Sequence, residues 1–308
     1  MNTETSSSEH KRLPWVIVLA GGRGTRLGQL TAALSGQPLP KQYARLDGVR
    51  TPLQNTVKRA LWLTAADRVM VVVSESYRKL AASQLDDFPG VKLVVQPLSG
   101  GTAMGILLPM AMLERQHPDD DVVVMPSDHH FDRPWRFIDA TEGVLNDLRR
   151  GDALVLFGAP TLSAKTDFGW IVPIASAEHG LLAPVGKFVE KPSKSVALGL
   201  MKKGGLLSTF VTMGTVRGFM EAFRKTLPKA TNAMRGSVRL GRWNALRFAF
   251  VTFGGVDFSR AVLARLPDLL VARLPDCGWV DLGTPERVRA VFGTHLGMRQ
   301  SARVSSPR

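Results

Sequence analysis

The run Trp15-Val16-Ile17-Val18-Leu19-Ala20 stops at Gly21-Gly22, and this junction constrains the fold more than any other feature of the chain. A continuous apolar run this short predicts a strand buried on both faces, as in a parallel sheet covered by helices. Parallel strands need helical crossovers, and the sequence supplies them. Thr51-Pro52-Leu53-Gln54 predicts a helix start: threonine at the cap, proline at the first position, glutamine three residues on from the cap. Apolar, β-branched segments predict strands over residues 68–73, 91–96 and 121–125, and leucine spacing predicts a helix over 102–115. Further on, 153–159 predicts a core strand, and 170–174 with 185–189 a strand pair around a turn at His179-Gly180. Residues 248–253 predict one more strand; 257–266 and 285–292 predict helices.

Alternating strands and helices at this spacing give an α/β fold of right-handed units with a mostly parallel sheet. Ligands of such sheets gather at the carboxyl ends of the strands. Three polar or glycine-rich clusters fall there: 21–28, 96–102 and 126–130.

Composition narrows the partners. Hydrophobic residues make up 44% and charged residues 21%, an ordinary globular balance. The longest apolar run, 106–113, is far short of the ~18–20 residues of a membrane span, so no membrane is expected. The start of the chain lacks the apolar core of a signal peptide, which points to a cytoplasmic location. The single cysteine, Cys277, excludes an internal disulfide and a cysteine-built zinc cage. Forty Lys and Arg against 26 acids give a net charge of +14, which suits anionic partners. Much of the excess lies over 222–247, a stretch without an acid. It reads as a solvated basic face; it carries no nucleic-acid signature, so nucleic acid is not expected as a partner. Residues 1–13 predict a disordered polar tail, 14–297 a single domain and 298–308 a basic tail with Arg299, Arg303 and Arg308. The pattern leaves the oligomeric state open.

Gly21-Gly22-Arg23-Gly24-Thr25-Arg26-Leu27-Gly28 follows the first strand directly. Glycines here let backbone N–H groups approach an anion, and Arg26 adds a fork of donors. The dinucleotide fingerprint would need glycine at Leu27, and no Walker lysine follows. The loop alone therefore says phosphate. With Pro40-Lys41-Gln42-Tyr43 it resembles the signature of the sugar-phosphate nucleotidyltransferases, most closely the mannose-1-phosphate guanylyltransferase branch. The resemblance continues in order through Pro126-Ser127-Asp128-His129-His130, Thr166-Asp167-Phe168-Gly169-Trp170-Ile171, Phe188-Val189-Glu190-Lys191-Pro192 and Trp279-Val280-Asp281-Leu282-Gly283-Thr284-Pro285-Glu286.

That resemblance implies a Rossmann-like nucleotide-diphospho-sugar transferase fold and a reaction. A sugar 1-phosphate, mannose 1-phosphate in this branch, joins a nucleoside triphosphate, here GTP, to give a nucleotide sugar and pyrophosphate. It implies a role for each matching position. Gly21, Gly22, Gly24 and Thr25 would cradle the triphosphate, and Arg26 and Lys41 would neutralise it as catalytic cations. Gln96, Gly101 and Thr102 would read the base. Gly169, Glu190 and Lys191 would hold the sugar phosphate. Asp128 and Asp281 would bind Mg2+. His129 and His130 read as loop or core histidines rather than ligands. The alternative is a regulatory or nucleotide-sugar-binding protein that keeps the fold without catalysis. The match departs from the branch at Leu98-Ser99-Gly100-Gly101, where an asparagine–arginine pair is usual, and at Gln29, where proline is usual. It also departs at Leu207-Ser208-Thr209-Phe210, which lacks the usual tryptophan–asparagine.

Overall fold

The computed structural model describes residues 13–148, 152–174 and 182–293. Residues 1–12 of the polar tail, the His179-Gly180 turn and the basic C-terminal tail lie outside the described residues. The first apolar run forms β1 (Trp15–Leu19). Its side chains alternate between two cores, Val16 and Val18 facing one, Trp15 and Ile17 the other, as the period of a strand requires.

Next come α1 (Gly28–Ser35), α2 (Pro52–Ala60), β2 (Val69–Ser74), α3 (Arg78–Leu85), β3 (Lys92–Gln96) and α4 (Gly101–Leu113). They lead to β4 (Asp121–Pro126), the short β5 (His129–Phe131), α5 (Pro134–Leu148), β6 (Val155–Ala159), β7 (Gly169–Pro173) and β8 (Ala183–Glu190). The chain continues through α6 (Lys194–Lys202), β9 (Leu206–Thr215), α7 (Val216–Thr226), α8 (Pro228–Leu240), α9 (Trp243–Phe253) and α10 (Phe258–Ala261). It closes with β10 (Leu270–Arg273), β11 (Trp279–Asp281) and a helix over 285–293.

The main sheet runs β3-β2-β1-β4-β9-β6-β10-β8-β7, with β9 also touching β7. β3, β2, β1 and β4 are parallel neighbours. Beyond them the sheet is mixed: β9 lies antiparallel to β4 and β6, and β10 parallel to β6. Helices cover both faces. α4, α7, α8, α9 and α10 contribute Met104, Phe219, Met234, Phe250 and Phe258 to one core. α2, α3, α5 and α6 contribute Leu53, Leu85, Phe137 and Leu200 to the other. Among the described residues no helix is long and apolar enough to cross a membrane.

The segment 248–253 corrects the expectation of a strand: it is the end of α9. Its aromatic and β-branched content favours a strand locally, but its burial has no period of two. Ala249 and Phe250 are buried side by side, while Phe248 and Val251 face solvent. Packing of one helical face decides against local propensity. The strands β9 and β10 and the β5–β11 pair were not anticipated.

The helix start at Thr51 is a capping box. Thr51 Oγ1 accepts from Gln54 N at 3.2 Å, and Gln54 Oε1 accepts from Thr51 N at 3.0 Å. The Thr51 hydroxyl also donates to Gln84 Oε1 at 2.9 Å, tying α2 to α3. Thr51→Ala should therefore destabilise the fold by about 1–2 kcal/mol, read as a lower urea midpoint at constant slope, and Thr51→Ser should recover most of the loss.

Candidate functional site

A cleft of about 470 Å³ opens where the carboxyl ends of β1, β3 and β4 meet the C-terminal half of the sheet. Gly21, Gly22, Arg26, Lys41, Gln96, Gly101, Thr102, Asp128, Gly169, Glu190, Lys191 and Asp281 all line it. Gly24 does not; of Thr25 only the backbone is described, in a short 3-10 turn. Gly24 has φ 59°, and a Cβ there would lie 2.8 Å from Lys41 N and from Pro40 Cα. Its part is to let the glycine loop pack on the segment that presents Lys41.

Two side chains that follow Lys41 hold the loop in place. Gln42 Nε2 donates to Ala20 O at 3.0 Å and to Gly22 O at 2.7 Å. The Tyr43 hydroxyl donates to Ala20 O at 2.9 Å, and burial raises its pKa well above the ordinary phenol value. Both stand in the quoted Pro40-Lys41-Gln42-Tyr43 block, but nothing in their spacing marks them as supports of the loop.

The two candidate metal carboxylates come together through a ribbon. β5 and β11 pair antiparallel, and the register sets Asp281 opposite His129, next to Asp128. One ligand atom from each of Asp128, His129 and Asp281 falls within 4.8 Å of the others. The Lys41 ammonium sits among them, 2.9 Å from Asp128 Oδ2, 3.3 Å from Asp281 Oδ1 and 3.1 Å from Leu282 O. All three of its N–H donors are thereby used. Burial works against the Lys41 charge, but Asp128 and Asp281 outweigh it and hold its pKa above the usual lysine value. Burial likewise pushes the Asp128 carboxyl up, and Lys41 and His129 more than reverse this, leaving it below the usual range.

A pair of hard oxygen donors that already holds one cation suits magnesium, which prefers oxygen ligands. His129 fits a supporting part. Its Nδ1 accepts from Trp279 Nε1 at 3.1 Å, and burial lowers its pKa below the usual histidine value despite the nearby acids.

Asp281 has a second cationic neighbour that sequence reasoning missed. Arg287 bonds Asp281 Oδ2 at 3.4 Å, pairs with Asp167, and lies over the Phe168 ring at 4.5 Å. It ties the end of β11 to the loop before Gly169. It stands just past the last quoted block and resembles an ordinary helix arginine.

On the sugar side, Glu190 is nearly buried and bonds the Lys191 ammonium at 3.1 Å. A Cβ at Gly169 would lie 2.7 Å from Glu190 Oε2 and 2.9 Å from Phe188 Cζ. The missing side chain makes room for Glu190. Among the described residues, Lys191 and Phe210 are the non-glycine residues with positive φ, at 48° and 65°. Both line the cleft, where such strain is commonly retained. At Phe210 the pairing of β9 with β6 also shifts register, between Leu156 and Gly158.

On the opposite side, the loop before α4 is bound to residues 255–258. Gly255 N donates to Gly100 O at 2.9 Å, Ala103 N to Val256 O at 3.1 Å, and Phe258 N to Thr102 Oγ1 at 2.8 Å. The Thr102 hydroxyl thus anchors the backbone of the second half of the chain. Gln96 is 3% exposed, and its Oε1 is buried without a hydrogen-bond partner. Asp257 and Ser259 also line this side and carried no sequence signal.

Comparisons with known proteins give the family and the fold. A family model described as nucleotidyl transferase matches residues 15–294. The chain is 31% identical over 277 residues to the xanthan biosynthesis protein XanB of Xanthomonas campestris pv. campestris, covering 87% of this chain and 57% of that protein. It is 28% identical over 286 residues to mannose-1-phosphate guanylyltransferase 2 of Escherichia coli O157:H7, covering 87% and 58%. The chain therefore spans less than two thirds of the length of these curated relatives. The fold is shared with a Thermus thermophilus protein described as mannose-1-phosphate geranyltransferase: TM-score 0.76, 24% identity, 87% of this chain and 76% of that one. It is shared more distantly with a UDP-glucose pyrophosphorylase complexed with UDP-glucose: TM-score 0.58, 15% identity, 92% and 98% coverage. The match across nearly the whole described chain places it plainly: it belongs to the nucleotidyl transferase family.

Proposed function

We propose that the chain transfers a nucleotidyl group from a nucleoside triphosphate to a sugar 1-phosphate, releasing pyrophosphate. The observation that carries the reading is the Asp128–Lys41–Asp281 cluster at the mouth of the glycine loop. The sugar phosphate is already an anionic nucleophile, so no general base is needed. The obstacle is repulsion: two unit charges about 4 Å apart cost ~4 kcal/mol at an effective dielectric near 20. Cations, backbone donors and alignment must offset that.

The chain's residues divide the work. Gly21 and Gly22 present backbone to the triphosphate. Arg26, exposed at the cleft and without an ion pair among the described residues, neutralises charge developing at the α-phosphate. Lys41 transfers its donors from the carboxylates to phosphate oxygens when nucleotide enters. Asp128 and Asp281, released by that exchange, are the residues that would hold Mg2+. A bound magnesium ion would supply further charge neutralisation on the phosphates. Lys191 and Glu190 bind the sugar 1-phosphate, with Gly169 leaving Glu190 its position. Gln96, Gly101 and Thr102 border the base.

Mannose 1-phosphate and GTP are the proposed substrates, supported by the names of the similar proteins and by the ordered motifs. The experiment is a matrix of nucleoside triphosphates against sugar 1-phosphates with magnesium, followed by pyrophosphate release. The expected result is turnover with at least one pair. Tight nucleotide-sugar binding with no pyrophosphate from any pair would favour a binding protein instead.

Three outcomes are expected. Arg26→Ala should lower turnover about 10²–10³-fold, roughly 2.7–4 kcal/mol, with an unchanged thermal midpoint; unaltered kcat/KM would remove Arg26 from the site. Asp128→Asn and Asp281→Asn should each nearly abolish turnover and leave the circular-dichroism spectrum intact. Gly100 and Gly101 offer the base no side chains, so the preference for GTP over ATP should stay below about 10⁴-fold, the range hydrogen-bonding pockets reach. Competition kinetics measure it, and a larger ratio would contradict this account of the loop.

A further inference from the structure

Behind the β5–β11 ribbon lies a second cavity, of about 250 Å³. α2 lines one side with Asn55, Lys58 and Arg59, Trp62 follows just after it, and His129 and His130 line the ribbon side. Among the described residues, no acid lines it. Arg59 is 7% exposed. Its guanidinium donates to Thr56 Oγ1 at 2.6 Å and to His129 O at 3.1 Å, and lies 4.8 Å from the centre of the Phe131 ring. Its Nε is buried without a hydrogen bond, and Arg59 forms no ion pair among the described residues. Burial lowers its pKa to about 10, opposed by Cys277.

A buried cation without a counter-ion is an unfavourable arrangement that an incoming anion relieves. The arginine fork matches phosphate oxygens, and Lys58 adds an exposed ammonium at the rim. Trp62 gives a half-exposed ring against which the remainder of a small molecule can lie. We infer that this cavity is a binding site for a small phosphate-bearing molecule, separate from the cleft and held by Arg59 and Lys58.

The two cavities share one wall. His129 lines both, its carbonyl accepts from Arg59 and its ring from Trp279. A phosphate that draws on Arg59 competes with the His129 carbonyl, and so acts on the residue beside Asp128.

The test titrates inorganic phosphate into the full chain without substrate, so its outcome does not depend on which reaction the cleft performs. Calorimetry measures binding, and NMR follows the Arg59 Nε–H and Trp279 indole N–H signals. The Arg26→Ala chain weakens phosphate binding in the cleft, where Lys41 and Lys191 remain, so the Arg59 signal rather than total binding reports the second site. Expected there are retained phosphate binding, a moved Arg59 signal and a moved Trp279 signal. Lys58→Met should weaken this binding at least tenfold. It changes an exposed residue and so tests the site even where Arg59→Met fails to fold. An Arg59 signal that stays unmoved in the Arg26→Ala chain would overturn the site and leave Arg59 as a structural strut. A moved Arg59 signal beside an unmoved Trp279 signal would overturn the coupling through His129.

Discussion

Asp128 and Asp281 stand side by side because a two-strand ribbon puts them there, and like charges so close repel strongly in a partly buried cleft. The Lys41 ammonium offsets that repulsion with one donor to each carboxylate. Much of the site is arranged to place that ammonium. Gly24 has no side chain, so the glycine loop packs on Pro40 and Lys41. Gln42 and Tyr43, the next residues, reach back to Ala20 and Gly22 and fix the same loop at the end of β1. The glycine loop and the lysine that meets the acids are thus one mechanical unit.

Local features of the fold were legible in the sequence. The first strand follows from an unbroken apolar run, and the α2 start from Thr51, Pro52 and Gln54, because each is decided within a few residues. The end of α9 reads as a strand because Phe248–Phe253 has strand-like composition, and only contact with its neighbours selects the buried pair Ala249 and Phe250. β9 stays hidden because its Leu207-Ser208-Thr209-Phe210 segment is read only as a departure from the usual tryptophan–asparagine block. In the site, the glycine loop, Lys41, Asp128 and Asp281 could be named from ordered motifs. The shared metal role of Asp128 and Asp281 in the resemblance also implies that the two meet; how they meet could not be read, since it rests on the register of two three-residue strands far apart in sequence. Arg287 and Arg59 carried no signal at all: each looks like a helix-surface arginine until the fold surrounds it.

The phosphate side and the recognition sides of the cleft differ in how they are built. Around Lys41 nearly every donor has an acceptor. Around Gln96 a buried acceptor has none, and the adjoining glycines contribute only backbone, clamped by residues 255–258. Around Lys191 and Phe210 the backbone holds conformations that side chains disfavour. In the proposed reaction, phosphate chemistry would thus rest on charge and rigid backbone, and recognition on these less evenly satisfied positions.

The β5–β11 ribbon also joins distant parts of the chain. Its first strand emerges early, directly after the parallel half of the sheet; its second follows β10, after every strand of the main sheet has been made. Closing a contact between segments so distant in sequence confines the whole intervening chain. Trp279 Nε1 donates to His129 Nδ1 and Asp281 faces His129, so the same contact that docks β11 on β5 sets Asp281 beside Asp128. The second carboxylate of the pair is therefore held by a long-range contact, whereas Lys41 and Asp128 belong to the first half of the chain.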